Sequence, residues 1–570
     1  MYILGITEIG HNPAACLLKD GKLLSFIEEE RLSRIKCSPG IYPIKAVQYC
    51  LKNANINLKD VKEIVLSWDV IKYGDQMKTF YSELDEKYKK DPVTKLTERL
   101  IFERFCEDKI IYTLKKAFLN LRYKTNEIPP ISFVGHHLSH AASTFYCSGF
   151  KKALAFVIDG SGEELCTSVF IGEGLNLKLI DKYEIPNSLG WFYSVITEYL
   201  GFSSNNQEGT VMGLAAYGKD DFKIRRILEK ILYYKNDRYK INPEYIFYGE
   251  HTYSFRFTDR LVNELGQPRK KQDVILDKHK NIAFIAQDML ESVVKKMISK
   301  YIKEYKIKNI CLAGGVAMNC KLNGEILKLK NIDNLFVQPA STDAGSCIGA
   351  TIVKSIGYGY DPRLEMIHAY WGIEYSNDEI EKSLKIAKVN YKKVDNPSLL
   401  AAEYISKGKI IGWFQGRLEL GARALGNRSI LANPSDPNTK DYLNNSIKFR
   451  EDWRPFSPSF TEESFKKIFN TNHNPYFMIT AFSAYNYKKI MPSVVHVDGT
   501  IRPQSVKKEV NFKYWQLIDE FEKLTSIPAV LNTSFNIKGE PIVSSPEDAL
   551  RCFFSTGLDA LFIGDFLIEK

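Results

Sequence analysis

The sequence ISFVGHHLSHAASTFYCSGFKKALAFVIDGSG, residues 131–162, places a helical segment between two apolar runs. Ile131–Val134 and Ala153–Ile158 have the length and composition of buried strands. A further strand, Ile310–Leu312, runs directly into a Gly-Gly turn and a second helical segment. Strands that alternate with helices are typical of an α/β fold, which we therefore predict for this chain.

The helical segment carries two imidazoles four residues apart, His136 and His140. On a helix these side chains share one face, with Cβ atoms about 5–6 Å apart, which suits a two-histidine metal site. Asp159 follows the next strand, and Asp343 lies far downstream. Two His and two Asp would form a mixed N/O site suited to iron, zinc or manganese. The alternative is an amphipathic helix with partly solvated histidines; His137, about 100° around the helix, is predicted to lie outside the site.

Length, charge and cysteine usage limit the class of protein. The 570 residues suggest two to four domains, and no apolar run approaches the length of a membrane span. The net charge of 78 − 68 = +10 is mild and fits anionic small substrates without establishing nucleic-acid binding. Ten cysteines without a CxxC pair indicate reduced thiols and a cytoplasmic setting. Residues 80–125, rich in Lys and Glu, predict a solvated helical insertion.

Glycine-rich turns in the first half have the composition of nucleotide-binding loops. Small residues after a strand let backbone N–H groups approach a phosphate, and paired glycines admit a planar adenosine. Each turn alone is also explained as a hairpin, a tight turn or close helix packing. The candidate nucleotide-binding residues from these turns are Gly160, Ser161, Glu208, Gly314, Gly315 and Asn319.

The second half is dense in arginine. Arginine forks and a lysine are the usual protein ligands of phosphate groups, whereas a single surface arginine usually forms a weak ion pair. Several clusters flanked by Gly or Asn and by strand residues favour a phosphate site. The clusters are Gly412–Arg417, Gly421–Ser429, Ile447–Phe456, His496–Gln504 and Leu531–Pro541.

Together these motifs resemble the NodU/CmcH family of O-carbamoyltransferases over nearly the whole chain. The motifs are GHxxAAC, EERxxRxK at Glu29–Lys36, HHxxHAAS, GGVAxN, RALGNRS, RPFxPS, HVDGTxRxQ and LNTSFNxxGEPIV. The chain departs from the family pattern at Ala422, where proline is usual, and at Thr210, where lysine is expected. The second departure puts nucleotide contacts near residue 210 in doubt.

The resemblance implies an actin-like ATPase (ASKHA) domain over residues 1–360 and a YrdC-like α/β domain over 361–570. In this scheme the C-terminal domain converts carbamoyl phosphate and ATP, with Mg, into carbamoyl-adenylate and pyrophosphate. An acceptor hydroxyl then attacks the carbonyl at the N-terminal metal site, and AMP leaves. The implied metal is divalent, with Fe(II) favoured over Zn(II) or Mn(II), on His136, His140, Asp159 and Asp343.

Residue roles follow for both domains. His11 is a candidate general base, since an imidazole pKa near 6.5 suits neutral pH; capping of its turn is the alternative. Lys448, Arg502 and Ser534 are expected to be catalytic in the C-terminal domain. The expected phosphate or carbamoyl-phosphate ligands beside them are Arg423, Arg428, Arg454 and Asn532.

The acceptor is expected to be a small molecule, with a saccharide hydroxyl favoured, bound near the aromatic residues of 185–255: Trp191, Tyr193, Phe247 and Tyr248. No nucleic-acid or membrane partner is expected, and a homodimer is the default assembly. Rival functions are a threonylcarbamoyl-type tRNA-modifying transferase, a hydrogenase-maturation carbamoyltransferase, a sugar kinase and a nucleotide-gated actin-like binding protein. Release of pyrophosphate rather than ADP would separate the predicted activity from the kinase and binding-protein readings.

Overall fold

A computed structural model describes residues 1–8, 11–73, 75–88, 95 and 106–570. The chain forms two compact units: Met1–Ser25 with Pro39–Glu365, and Phe26–Ser38 with Met366–Lys570. The sequence predicts a domain boundary between residues 360 and 361 and places residues 26–38 in the first domain. In the structure the boundary follows Glu365, and residues 26–38 belong to the second unit. Within the predicted helical insertion at 80–125, residues 89–94 and 96–105 lie outside the described residues.

The first unit contains two five-stranded sheets with the same strand order. The strands of the first sheet are β1 (Tyr2–Thr7), β2 (Ala14–Lys19), β3 (Lys22–Glu28), β4 (Val61–Leu66) and β5 (Ile131–Phe133). The second sheet contains β6 (Lys152–Gly162), β7 (Leu165–Glu173), β8 (Asn176–Glu184), β11 (Asn309–Ala313) and β12 (Asn334–Val337), and a separate hairpin contains β9 (Leu232–Lys235) and β10 (Arg238–Ile241).

Each of these sheets begins with antiparallel strands and continues with parallel ones. The orders are β3-β2-β1-β4-β5 and β8-β7-β6-β11-β12, with β1 parallel to β4 and β6 parallel to β11. β1 and β6 are almost entirely buried, as expected for central strands covered on both faces. This duplicated order is that of the actin-like ATPase fold, which confirms the predicted fold of the first half.

Helices connect and cover the sheets. In chain order they are α1 (Glu29–Ser33), α2 (Ile44–Asn53), α3 (Asp75–Tyr88), α4 (Glu107–Asn120), α5 (His136–Phe145), α6 (Leu189–Tyr199), α7 (Glu208–Ala215), α8 (Phe222–Ile231), α9 (Asp259–Leu265), α10 (Asp277–Tyr305), α11 (Cys320–Leu327), α12 (Ser346–Gly357), α13 (Asn377–Ala387), α14 (Pro397–Ser406), α15 (Thr439–Tyr442), α16 (Glu462–Phe469), α17 (Phe512–Thr525) and α18 (Pro546–Phe554). None of these helices is both long enough and apolar enough to cross a bilayer.

Helices α5 and α12 approach each other unusually closely. A Cβ atom placed on Gly349 of α12 would lie 1.7 Å from the carbonyl oxygen of Ser139 and 2.7 Å from the amide nitrogen of Ser143, both on α5. A residue larger than glycine would therefore push the helices apart. This contact matters for function because α5 carries both predicted histidine ligands and α12 follows Asp343.

The second unit is built on an eight-stranded mixed sheet of order β13-β22-β21-β14-β15-β20-β16-β19. In chain order its strands, with the short pair β17 and β18, are β13 (Lys392–Lys393), β14 (Ile411–Phe414), β15 (Arg428–Ala432), β16 (Ser457–Thr461), β17 (Phe482–Ser483), β18 (Thr500–Ile501), β19 (Gln504–Val506), β20 (Ala529–Ser534), β21 (Ala560–Ile563) and β22 (Phe566–Glu569).

Both faces of this sheet carry an apolar core. One core joins helices α14 and α17 to strand residues that include Trp413 and Phe562. The other joins α13 and α18 to strand residues that include Phe414 and Phe460. The three-layer arrangement of helices around a mixed sheet confirms the predicted α/β class for this half.

Candidate metal centre and anion-binding site

The two histidines and two aspartates predicted as metal ligands come together in the first unit. His136 Nε2 lies 3.1 Å from His140 Nε2 and 3.3 Å from Asp159 Oδ2. Asp343 Oδ1 lies 3.7 Å from His136 Nε2 and 3.9 Å from His140 Nε2. One donor atom from each residue falls within 4.8 Å of all the others. Ligands about 2.0–2.2 Å from one ion lie roughly 3–4 Å apart, so this donor set fits a single cation.

Neighbouring groups aim the donor atoms of this centre. His136 Nδ1 hydrogen-bonds the Ser67 carbonyl at 3.1 Å, which turns Nε2 toward the other ligands. Asp159 Oδ1 accepts hydrogen bonds from the N–H groups of Gly160 at 2.8 Å and Gly315 at 3.0 Å, so Oδ2 faces the histidines. Hydrogen bonds of this kind orient ligands before a metal binds.

The electrostatics of the centre favour a positive charge within it. Burial acts to lower the pKa of His140, but the hydrogen bonds and charges of Asp159 and Asp343 raise that pKa to about 9. Burial acts to raise the pKa of Asp159, but hydrogen bonds from His136 and His140 hold it well below its usual range. A proton on His140 or a bound metal cation would each balance the negative charge of the two aspartates.

His137 behaves differently from its neighbours on α5. It is buried outside the four-residue centre, and its Nδ1 lies 2.8 Å from the Ser168 hydroxyl. Burial and the nearby charge of His136 lower its pKa to about 3. A neutral histidine that hydrogen-bonds a hydroxyl on β7 is therefore part of the packing around the centre.

Two further residues support the centre that sequence patterns did not identify as part of it. Buried Glu163 accepts hydrogen bonds from the N–H groups of His136, at 3.1 Å, and Asp69, at 2.7 Å. Its carboxylate thus lies at the N-terminus of α5, where the helix dipole favours an acid. Trp68 packs its ring 4.3 Å from that of His136. Both contacts join residues that are distant in the sequence, so no local sequence pattern predicts them.

The glycine-rich turns predicted to bind nucleotide surround the centre. Gly160 and Gly315 donate to Asp159, as described above. Gly314 has φ +88°, and a Cβ atom there would lie 2.4 Å from the Ile158 carbonyl. Asn319 caps α11 through Leu322 N–H at 3.0 Å and pairs with Gln287. Ser161 is half-buried beside them on β6. Nucleotide contacts from this loop cluster remain a prediction.

His11 and Glu208 approach the same centre from another direction. The His11 N–H donates to Asp343 Oδ2 at 3.4 Å, and His11 Nε2 accepts from the Asn205 amide at 3.0 Å. Glu208 Oε1 accepts from the Asn205 N–H at 2.5 Å and from the Ser194 hydroxyl at 3.1 Å. The exposed His11 is therefore adjacent to a metal-ligand candidate.

The second unit brings Lys448 and Ser534 together. Lys448 ends a π-helix over Leu443–Lys448, and Ser534 ends β20. The Lys448 ammonium donates to the Ser534 hydroxyl at 3.2 Å, to its carbonyl, and to the Asn536 side-chain oxygen at 2.8 Å. Burial lowers the pKa of Lys448 well below its usual range, and the charge of Arg450 adds to this shift.

The charges of three predicted site residues, all arginines, act on Arg450. Burial lowers its pKa well below the usual range, and the charges of Arg454, Arg502 and Arg423 add to the effect. Glu451, whose charge opposes this shift, forms an ion pair with Arg454 at 3.7 Å. Arg450 Nε donates to Asn444 Oδ1 at 2.8 Å. Arg450 lies in the predicted cluster Ile447–Phe456 but is not one of the predicted phosphate ligands.

The structure gives Arg428 and Asn532 different surroundings. Arg428 is fully buried, stacks its guanidinium 3.7 Å from the Phe414 ring centroid, and donates to the Gln415 and Asn427 carbonyls at 2.5 and 3.0 Å. It therefore holds a turn of the main chain, in contrast to its expected role as a phosphate ligand. Asn532 is also buried and donates to the Ser459 hydroxyl at 3.1 Å.

The fold and these two clusters define a carbamoyl-transferring enzyme once the chain is compared with known proteins. The carbamoyltransferase N-terminus family model matches residues 2–352, and the carbamoyltransferase C-terminus model matches residues 402–570. The chain belongs to the carbamoyltransferase family, which confirms the predicted resemblance.

Named relatives include nodulation proteins. NolNO of Sinorhizobium fredii is 36% identical, over 98% of this chain and 79% of its own length. NolO of Bradyrhizobium diazoefficiens is 36% identical, over 77% and 79% respectively. Nodulation protein U of Rhizobium tropici is 27% identical, over 97% and 93%.

Proposed function

We propose that this carbamoyltransferase works in two steps, one in each unit, and that ATP is consumed in the step that forms carbamoyl-adenylate. In the second unit, water and carbamoyl phosphate give carbamate and orthophosphate. A carbamate oxygen then attacks the α-phosphorus of ATP, and pyrophosphate leaves. In the first unit, an acceptor hydroxyl attacks the carbonyl carbon of carbamoyl-adenylate, and AMP leaves with the bonding electron pair. The net products are the carbamate ester, AMP, pyrophosphate and orthophosphate.

The observation that carries this proposal is the cluster of cationic side chains around Arg450. Arg423, Arg454 and Arg502 all act to lower its pKa, and Lys448 is a further cation held on the adjoining turn. Cations crowd together in a folded protein when a polyanion neutralises them. Two phosphate-bearing substrates supply that anion. Arg502 is positioned by the Ser457 hydroxyl at 2.9 Å, and Ser534 adds a neutral donor beside Lys448.

The donor set in the first unit suits a divalent metal. His136, His140, Asp159 and Asp343 would hold it; iron is favoured, with zinc and manganese as alternatives. Such an ion would polarise a carbonyl or phosphoryl oxygen as a Lewis acid. His11, adjacent to Asp343 and able to accept a proton at Nε2, is the proposed general base for the acceptor hydroxyl.

Two aromatic residues next to the metal ligands suit a saccharide acceptor. Trp191 and Phe247 are half-buried, with ring centroids 4.4 Å apart, whereas Tyr193 and Tyr248 are buried. The Trp191 N–H donates to the Ser188 hydroxyl at 3.0 Å, and Ser188 bonds the Asp159 carbonyl at 3.2 Å. An acceptor ring lying on Trp191 and Phe247 would thus lie beside the proposed metal.

Pyrophosphate release tests the proposal without knowledge of the acceptor. The purified enzyme, given ATP and Mg, should release pyrophosphate only when carbamoyl phosphate is present. Arg502→Ala should abolish this release, while His140→Ala, which alters the other unit, should retain it. Release of ADP, or pyrophosphate that does not depend on carbamoyl phosphate, would contradict the two-step scheme and return the chain to the kinase or binding-protein class.

A further inference from the structure

Phe449, between two cations of the second unit, has an unusual backbone conformation. In the described residues, the aromatic side chains at positive φ are Phe247 (φ +67°) and Phe449 (φ +46°). Phe449 follows the π-helix that ends at Lys448, and its N–H caps that helix by donating to the Asn444 carbonyl. Glycine and asparagine are the usual residues at such a left-handed cap, because a bulky side chain is strained there.

The ring of Phe449 is half exposed, so about half of its apolar surface is open to a ligand. The residue is 50% exposed, whereas Lys448 is buried. Within the described part of the chain, the Phe449 ring forms no aromatic or cation–π contact. Strained residues of this kind concentrate at ligand sites, where a ligand supplies the missing contact.

The place of Phe449 in the chain points to a ligand chemistry. Its Cα atom is one peptide, about 3.8 Å, from those of Lys448 and Arg450, the two residues around which the cation cluster is built. A ligand with phosphates on these cations and a flat apolar group at one end would cover the ring. ATP has both parts, whereas carbamoyl phosphate has no aromatic group.

We infer that Phe449 provides the surface on which the adenine base of ATP stacks in the second unit. The inference rests on the proposed adenylation step and adds a residue that determines nucleotide affinity. Stacking explains why phenylalanine occupies a left-handed cap, and why the neighbouring cations lie on the same turn. A contact of the ring with another apolar part of the protein is the competing explanation, which the kinetics below would reveal.

The test is the KM for ATP in carbamoyl-phosphate-dependent pyrophosphate release. Phe449→Ala should raise this KM about 10-fold, within the range for loss of base–aromatic stacking, and leave the KM for carbamoyl phosphate within about twofold. Phe449→Trp should keep an ATP KM near that of the wild type. Phe449→Asn is the decisive variant, because it suits the left-handed cap but lacks the ring. Phe512→Ala, at a residue 54% exposed in the same unit, is the matched control and should change neither KM.

The outcomes separate this inference from the proposed function. An unchanged ATP KM in both Phe449→Ala and Phe449→Asn would overturn the inference, as would an equal rise in both KM values. Wild-type enzyme that releases no carbamoyl-phosphate-dependent pyrophosphate would instead overturn the proposed function, before any variant is compared.

Discussion

The metal centre of the first unit and the cation cluster of the second differ in the charge that each lacks. Around His140, two carboxylates raise the pKa of the imidazole to about 9 despite its burial. Around Arg450, other cations join burial in lowering the pKa of the guanidinium. The first site would be stabilised by a cation and the second by an anion. The comparison shows that one chain holds a site suited to a cation and a separate site suited to an anion.

The two sites also differ in how firmly their side chains are held. The donor groups of the first are short, buried side chains, and those of His136 and Asp159 are oriented by main-chain hydrogen bonds. The second relies on long arginine side chains, half-buried, with polar partners such as Asn444 and Ser457. A metal ion needs short ligand side chains in fixed positions, whereas an extended polyanion can be bound by longer arginine side chains.

The largest effect is expected from the removal of two metal ligands. The His140→Ala, Asp343→Ala double variant should lose bound metal, with affinity falling at least about 100-fold, because half of the donor set is gone. Metal content after dialysis, measured by elemental analysis, provides the readout. His137→Ala is the matched control and should keep its metal, since His137 lies outside the four-residue centre. Unchanged metal content in the double variant would refute the assignment.

Substitutions of two arginines should affect different properties: Arg450→Gln should reduce activity, and Arg428→Gln should reduce stability. Arg450→Gln should lower kcat/KM for pyrophosphate release by about 100-fold, as loss of one charge-stabilising donor typically does. It should preserve or raise the melting temperature, because it relieves repulsion among the neighbouring arginines. Arg428→Gln should instead lower the melting temperature, because Arg428 donors bind buried carbonyl groups. Calorimetry and the pyrophosphate assay together distinguish these outcomes; equal destabilisation by both substitutions would contradict the contrast.

The metal-free protein should lose stability as the pH rises. The folded-state pKa of His140, about 9, lies above the ordinary histidine value of 6.5. Its contribution to the free energy of unfolding is therefore fully present below pH 6.5 and is lost as the pH rises through about 9. The contribution amounts to at most about 3 kcal/mol. Urea unfolding of chelator-treated protein at several pH values measures it.

His140→Gln is the control for this pH dependence. The variant should flatten the loss of stability between pH 6.5 and 9, because its amide does not titrate. Metal-loaded wild-type protein should also show a smaller loss, because the ion replaces the proton. A metal-free His140→Gln protein with the full wild-type slope would contradict the role of His140.

The smallest expected effect concerns the helix cap that joins α6 to the metal loop. Ser188→Ala should cost about 1 kcal/mol of stability, the usual effect of losing an N-cap. Because the Ser188 hydroxyl also bonds the Asp159 carbonyl, metal affinity should fall as well. Ser545→Ala, which removes the N-cap of α18 in the other unit, should cost similar stability and leave metal affinity unchanged. Equal metal affinity in both variants would contradict the proposed coupling.

Local patterns predicted much of the first site and part of the second. The four-residue spacing of His136 and His140 identified one face of a helix, because that periodicity is independent of tertiary structure. The positions of Glu163 and Gly349 beside that helix were not predictable, because no spacing in the chain records a contact between distant elements. Arg428 was assigned to phosphate because a guanidinium fork binds phosphate oxygens and main-chain carbonyls equally well.

The amino-acid sequence alone determined the α/β class, the carbamoyltransferase family and the types of ligand available, since these follow from periodicity, motifs and side-chain chemistry. Tertiary structure decided that Asp343 approaches two histidines on α5, that residues 26–38 join the second unit, and that Arg450 lies among other cations. These outcomes depend on distances between segments remote in the chain. Folding brings such segments together to bury apolar surface, and only the packed structure reveals which charges become neighbours.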